Sequence, residues 1–404
     1  MDDKHPPPAA APDDKPQPGA ATTPRHKAKP QWNVLMEIIA ISGEYPATSL
    51  CRLIPSESYV KKVVAQLIGD NLIKLISSGG LKGYRLTPKG KRKLASDNPA
   101  RFAGVFDGAT DTNKMRGGYV RRLRLHSLAE TCALMYGSGI EIFADAKPAA
   151  YNSDEPSGKT EEHNKHPPVK ITTPCFYTSR ELKGRDDNAI RGSRAVGTLL
   201  TPSLAYAVYN TRGTESRWSD KVEQRLKAHV QKHICRGLLA HQYNCGNGGE
   251  AGGIMIGGGM EPLGKLLAWK DKYWPSYNFM TKVFQPFYYI TGDACGEALL
   301  RLLCDAGKMD GLRAALLKGM LPPDAAYPIE HDALTEDGNP VLFCCLPDIP
   351  RLIRFKNGTA LHSKTGKAIA FDFQLDMLGS FLGDNAEFVS ISFGKFAERF
   401  FNEP

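Results

Sequence analysis

The stretch from Trp32 to Lys93 constrains the fold more tightly than any other part of the chain, because helix, cap and hairpin signals alternate within it. Val34, Leu35, Ile38 and Ile39 recur at helical spacing, which predicts a helix over 32–41. Pro46 opens a short second helix over 47–54, and Pro55-Ser56 breaks it. Ser56 then stands as an N-cap, with Glu57 in the first turn, for a third helix running to Asp70. Val60, Val64, Leu67 and Ile68 form the stripe expected to face the core. Residues 72–76 and 83–87 read as strands joined through a turn at Gly79-Gly80, and Thr87 caps a further helix through Lys93.

Three helices followed by a hairpin is the order of a winged helix-turn-helix module, expected over 31–100. The segment Gly83-Tyr-Arg-Leu-Thr-Pro-Lys-Gly90 resembles the junction between wing and following helix in bacterial winged-helix regulators. In such a module one helix enters the major groove and the hairpin lies beside it. The expected groove-facing residues are Ser58, Tyr59, Lys61, Lys62 and Gln66 on the third helix. Lys74, Lys82, Tyr84 and Arg85 lie on the hairpin, and Lys89, Lys91 and Arg92 on the helix after it. The cations suit phosphates, and the Gln66 amide suits an adenine edge. Lys114, Arg116, Arg121, Arg122 and Arg124 are candidates for a wider phosphate footprint, or for a solvated helix face.

Charge distribution agrees with a polyanion partner. The chain of 404 residues carries a net charge of +9. Residues 31–124 hold sixteen Lys and Arg against seven Asp and Glu, so the excess is concentrated in the first quarter of the foldable chain. A basic module joined to a near-neutral one points to double-stranded DNA as partner.

The rest of the chain divides by composition. Residues 1–30 contain eight prolines and no apolar periodicity, and are expected to be disordered. A connecting helical segment is expected over 101–144, with a helix at 118–136, and a polar linker or loop over 145–168. Residues 169–404 read as one mixed α/β or α+β domain. Its expected strands are 169–176, 195–200, 205–209, 253–256, 288–290, 342–345, 351–355, 368–373 and 388–392. Its expected helices are 220–239, 262–271, 296–304, 312–317 and 394–401. Nine scattered cysteines without a CxxC pair suit reduced thiols. No apolar run reaches the length of a membrane span, and the opening residues carry no secretory pattern. The expectation is a soluble cytoplasmic protein with no membrane association.

Four constellations in the larger domain invite chemistry. Gly259-Met-Glu-Pro-Leu-Gly264-Lys265 has phosphate-loop spacing, but Leu266 stands where Ser or Thr must hold magnesium, so a turn opening a helix is expected. His229, His233, Cys235, His241 and Cys245 are zinc-ligand types whose spacing does not converge, and core or surface roles are favoured. Glu330, Asp332 and Asp372 lie near strand ends, as acids do in magnesium-dependent nucleases. However, Gln374 stands where such a site carries lysine. Mg²⁺ enters only if that nuclease alternative holds, and no other cofactor or metal is expected. Tyr209, Trp218, Glu223 and Arg225 form a strand end and helix start with no chemistry that requires them.

Val208-Tyr-Asn-Thr211, Trp218 with Glu223-Gln-Arg225, Glu330-His-Asp-Ala333, Pro350-Arg-Leu-Ile-Arg-Phe355 and Phe371-Asp-Phe-Gln374 carry a further resemblance. On these residues the chain resembles the replication-relaxation-like proteins of conjugative plasmids and integrative elements in Firmicutes. The leading winged helix agrees with their layout, whereas the proline-rich tail and the 145–168 insertion depart from it. The resemblance implies an accessory protein of a mobile element that binds DNA near an origin of transfer or replication. Relaxosome or replication proteins and a second copy of the chain would be its further partners. It brings no catalytic residue. The alternatives are a metal-dependent nuclease on the C-terminal sheet and a transcriptional regulator whose larger domain senses a ligand or partner.

Overall fold

The computed structural model describes residues 31–54, 56–102, 104–106, 118–148, 173–183, 190–210, 212, 218–235, 250–268 and 283–401. The tail 1–30, positions 149–168 of the expected linker, and Lys114, Arg116, Thr211, His241 and Cys245 lie outside the described residues. The chain is a mixed α/β protein with several sheets.

The first unit is built from local signals. Helix α1 spans Gln31–Ser42 and buries Val34, Leu35, Ile38 and Ile39. A two-residue strand β1, Tyr45–Pro46, precedes a 3-10 helix over Ala47–Arg52. Helix α2, Glu57–Gly69, starts at Ser56, whose hydroxyl accepts a hydrogen bond from the Tyr59 N–H at 3.4 Å. Its buried stripe is Val60, Val63, Val64 and Leu67. Ile68, expected in that stripe, is 43% exposed, and Val63 is buried in addition to the expected residues. Strands β2, Ile73–Ser78, and β3, Leu81–Leu86, pair from Ile73 with Leu86 to Ser78 with Leu81. Gly79 and Gly80 both have positive φ, the conformation a two-residue hairpin turn needs at both centres. Strand β1 adds to the free edge of β3, pairing Tyr45 with Tyr84.

Thr87 ends the hairpin and starts helix α3, Pro88–Asp97, accepting a hydrogen bond from the Gly90 N–H at 3.1 Å. The same hydroxyl donates to the carbonyl of Asn71. A Cβ at Gly90 would run into the Leu72 carbonyl, so the strand–helix junction closes only on glycine here. A short helix α4, Pro99–Phe102, follows.

Helix α5, Tyr119–Gly137, is the centre of the molecule rather than a connector. It is buried almost continuously from His126 to Met135 and packs on α1, on β1 and on the larger sheet. That sheet has the order β4-β5-β6-β7-β8. Strands β4 (Cys175–Thr178), β5 (Ala195–Leu200) and β6 (Ala205–Asn210) form an antiparallel meander, with helix α6 (Ser179–Lys183) after β4. Helix α7 (Asp220–Val230) then crosses to β7 (Ala251–Gly257), and α8 (Glu261–Ala268) leads to β8 (Phe287–Thr291). Both of these strands run parallel to β6. Strands β6 and β7 are buried throughout, as expected for strands covered on both faces.

Helices α9 (Ala294–Cys304) and α10 (Ala306–Leu316) connect to a second sheet of order β12-β11-β10-β9. Strand β9 (Ala333–Leu334) is antiparallel to β10 (Pro340–Phe343). Helix α11 (Ile349–Leu361) links β10 to the parallel β11 (Gly366–Phe371), and α12 (Leu375–Leu382) links β11 to β12 (Ala386–Ile391). Helix α13, Phe393–Phe401, closes the described chain. Residues 351–355, expected as a strand, lie inside α11. Pro350 suits the first helical turn, and Leu352, Phe355 and Thr359 bury a helical face. A single apolar cluster runs from Val34 in α1 through Cys132 in α5 to Ile369 in β11 and Phe396 in α13. Among the described residues no helix is long and apolar enough to cross a membrane.

Two glycines test this packing in opposite directions. Gly90→Ala forces its Cβ onto a backbone carbonyl and is expected to destabilise by about 1–3 kcal/mol. Gly69→Ala meets nothing within 4 Å at a helical position, and is expected to be neutral or stabilising by up to about 1 kcal/mol. Denaturant unfolding of the two variants side by side measures the contrast.

Candidate functional site

The residues proposed from the sequence fall into three groups. Ser58, Tyr59, Lys61, Lys62 and Gln66 are exposed along the outer side of α2. Lys61 shares its charge with Glu57, one turn back, at 2.8 Å in an exposed pair. Lys74 and Lys82 are exposed on the hairpin, Tyr84 is half-buried, and Arg92 is exposed on α3. Lys89 donates to the Asp70 carbonyl at 2.9 Å, closing the C-terminal end of α2, and Lys91 is half-exposed.

Arg85 is a correction. Its side chain is 7% exposed and turned inward, where its Nε donates to Glu44 Oε2 at 2.8 Å. Arg122, a candidate for the wider footprint, is likewise 2% exposed. It donates to Glu44 at 2.6 Å, and to the hairpin carbonyls of Ile76, Ser78 and Leu81 at 2.7–3.2 Å. His126 Nε2 lies 2.8 Å from the same carboxylate. Gly83 makes room for this cluster, since a Cβ there would strike Glu44. A glycine two residues before an arginine on one strand face was the available sign of a close approach on that face.

Burial alone would push the Glu44 carboxyl up. Hydrogen bonds from His126, Arg122 and Arg85 outweigh burial and hold it at about 2. A second pair extends the network toward the large sheet. Arg212 Nε meets Glu130 at 2.9 Å, and Ser49 also donates to Glu130. Asn210, at the end of β6, donates to the Ser127 carbonyl and to the Thr131 hydroxyl on α5. The sequence reading missed Glu44, His126, Glu130 and Arg212, because the partners lie tens of positions apart.

The acidic candidates are engaged elsewhere. Glu330 accepts from Arg351 Nε at 2.8 Å and from Arg354 Nε at 2.7 Å. Asp332 accepts from Arg351 at 3.0 Å, from Arg313, and from the Phe343 N–H at 2.8 Å. Asp372 accepts from the backbone N–H groups of Phe373 and Phe393, and sits in a 3-10 turn after β11 rather than on a strand. Three guanidinium groups already occupy the first two carboxylates, which makes them struts between α10, α11 and the turn before β9. Among the described residues no group of three or more His, Cys, Asp or Glu is placed to hold a metal ion.

The remaining motifs are structural. Lys265 pairs with Glu261 on the surface of α8, and the Gly259 carbonyl accepts the Tyr289 hydroxyl. His229 Nε2 lies 2.8 Å from the Leu182 carbonyl, and its ring packs at a tilt against that of His233, 4.5 Å away. Glu223 accepts from the Tyr209 hydroxyl at 2.6 Å and from Ser193 at 2.9 Å, and burial pushes its carboxyl up. Trp218 and Phe287 pack on the Tyr209 ring.

Comparison of the chain with protein-family models, with curated proteins and with solved structures gave no match.

The Glu44 cluster makes a stability prediction with a sign. Its folded pKa is depressed, so its contribution is fully present above the ordinary carboxylate pKa of 4.5 and is lost as pH falls toward about 2. Glu44→Gln leaves Arg85 and Arg122 buried without their counter-charge and is expected to cost about 3–5 kcal/mol at neutral pH. The gap between wild type and variant in denaturant unfolding should narrow from pH 4.5 downward. A gap independent of pH would refute the assignment.

Proposed function

We propose that residues 31–100 form a winged helix-turn-helix module, with α2 as the groove-entering helix and the β2–β3 hairpin as the wing. We further propose that the protein is a duplex-DNA-binding accessory protein of a mobile genetic element. The observation that carries the DNA reading is the exposed cationic surface. Lys61 and Lys62 on α2 stand with Gln66, and Lys74 and Lys82 stand on the adjoining hairpin. The element order helix, short strand, short helix, helix, hairpin is the order such a module requires.

Lysines along one helix and its neighbouring hairpin suit phosphates on either side of a groove, whereas Gln66 and Ser58 carry the hydrogen-bonding groups that read base edges. Arg85, turned inward to Glu44, is excluded from the contact set. The mobile-element setting rests only on the resemblance of the motifs around Tyr209, Glu223, Glu330, Arg351 and Asp372 to the replication-relaxation-like proteins. A role beside replication or relaxosome proteins, and pairing of two copies on DNA half-sites, belong to the same proposal.

If about six phosphates are engaged, affinity for duplex DNA falls with log salt at a slope of about −5. Replacing Lys61, Lys62, Lys74 and Lys82 together by Gln should flatten that slope by about 3 and weaken binding at every salt concentration. Unchanged retention of DNA by this variant, with an unchanged melting temperature, would overturn the proposal. Footprinting on the DNA of the host element then separates a promoter from a transfer origin.

A further inference from the structure

The N-terminal turn of α5 abuts the tip of the hairpin. A Cβ built at Gly79 would lie 3.5 Å from the Tyr119 ring, and Arg122 is hydrogen-bonded to three carbonyls of the hairpin. The buried side of this turn therefore fixes its outward side relative to the hairpin. Arg121 and Arg124 are exposed there, three positions apart and so on one side of the helix.

Further along, Asn210 at the end of β6 is bound to Ser127 and Thr131 of α5, and its neighbour Tyr209 pairs with Ala195 at the start of β5. That pairing sets exposed Arg194 beside the same stretch of α5. Partial burial and the like charge of Arg194 together lower the Arg124 pKa. The turn before β5 also carries exposed Arg191, and it is held rather than loose. Arg225 Nη2 donates to the Arg191 carbonyl at 3.3 Å, and buried Glu223 accepts from Ser193 and from the Arg194 backbone N–H. Arg121, Arg124, Arg191 and Arg194 form no salt bridge among the described residues, although the buried Glu223 carboxyl attracts Arg194. Four guanidinium groups brought together from separate elements, with two of them in repulsion, gain most from a partner carrying several anions.

We propose that Arg121, Arg124, Arg191 and Arg194 form a second phosphate-binding track, continuous with the hairpin, that holds the flank of the same duplex beyond the winged-helix site. The inference rests on the DNA reading of α2 and the hairpin, and deepens it by assigning the larger domain part of the contact. Phosphates in series are favoured over an acidic peptide because the track continues a surface already suited to a duplex, and guanidinium forks match phosphate geometry.

The test uses the full chain with Arg121, Arg124, Arg191 and Arg194 all changed to Gln, and a second version with all four changed to Lys. Each is titrated by fluorescence anisotropy against a random-sequence duplex of about one helical turn, about 10 base pairs, and one about three times longer. On the long duplex the Gln version should show a salt slope shallower by about 3, the Lys version should keep most of the slope, and on the short duplex all three proteins should agree. A Gln version that matches wild type on the long duplex would overturn the track and leave the winged-helix proposal standing. Equal weakening on both duplexes would also overturn it, because the arginines would then belong to the first site. Failure of wild type to bind either duplex would remove both proposals.

Discussion

One buried carboxylate organises the leading third of the described chain. Glu44 follows α1 after a single glycine and is fully buried, yet two arginines and a histidine from two other elements meet it. A lone carboxylate in such a position would be prohibitively unfavourable, and a lone guanidinium equally so. The elements therefore have to arrive together. The hairpin brings Arg85, α5 brings Arg122 and His126, and the turn after α1 brings Glu44. Arg122 also satisfies three hairpin carbonyls, which ties α5 to the hairpin by three hydrogen bonds. A cluster of this kind specifies geometry more than it adds net stability, because desolvation offsets much of the Coulomb gain. What it fixes is the angle between the hairpin and the rest of the protein.

The same chemistry is repeated one and two turns further along α5. Glu130 takes Arg212 and Ser49, and Ser127 and Thr131 take Asn210. Helix α5 thus presents polar anchors to the small unit on one side and to the end of β6 on the other, while Cys132, Ala133 and Met135 carry the apolar core past both. No part of this arrangement lets the small unit swing on a tether. If α2 and the hairpin engage a duplex, the first strands of the large sheet are carried to a set position beside it.

Elements whose signals are local were legible in the sequence. Ser56 and Thr87 act as the caps they were expected to be, Gly79-Gly80 makes the turn, and α1, α2 and α5 occupy their expected spans. Failures came where a neighbour distant in sequence decides the outcome. Strand β1 exists only because β3 offers a free edge, and no two-residue segment announces itself by periodicity. Residues 351–355 were expected as a strand, but Pro350 in the first turn and the buried Leu352, Phe355 and Thr359 at helical spacing belong to a helix. Arg85 stood in a polar, alternating hairpin, and only the α5 packing decides which hairpin face is wet. The ion pairs of Glu330 and Asp332 were not legible for the same reason, because their arginine partners sit on α10 and α11.

Net charge taken from a sequence counts buried and exposed ions alike, and here the distinction sharpens the electrostatic argument. Of the five carboxylates in residues 31–102, Glu44 is enclosed by Arg85 and Arg122, and Glu37 is buried against Arg101. Glu57 and Asp97 are exposed, but each is paired with a lysine of its own helix, and Asp70 is exposed at the end of α2. Internal pairing removes two acids from the surface along with the arginines that neutralise them, so little exposed negative charge remains to weaken the field of Lys62, Lys74, Lys82 and Arg92. Exposed lysines on a well-solvated surface separate easily from weak local partners such as Glu57. A phosphate backbone competes with those partners through release of its own condensed counterions, an entropy that a protein carboxylate does not offer. The interior pairs thus leave the outer side of α2 and the hairpin with an excess of exposed cations, the feature on which the proposed DNA contact rests.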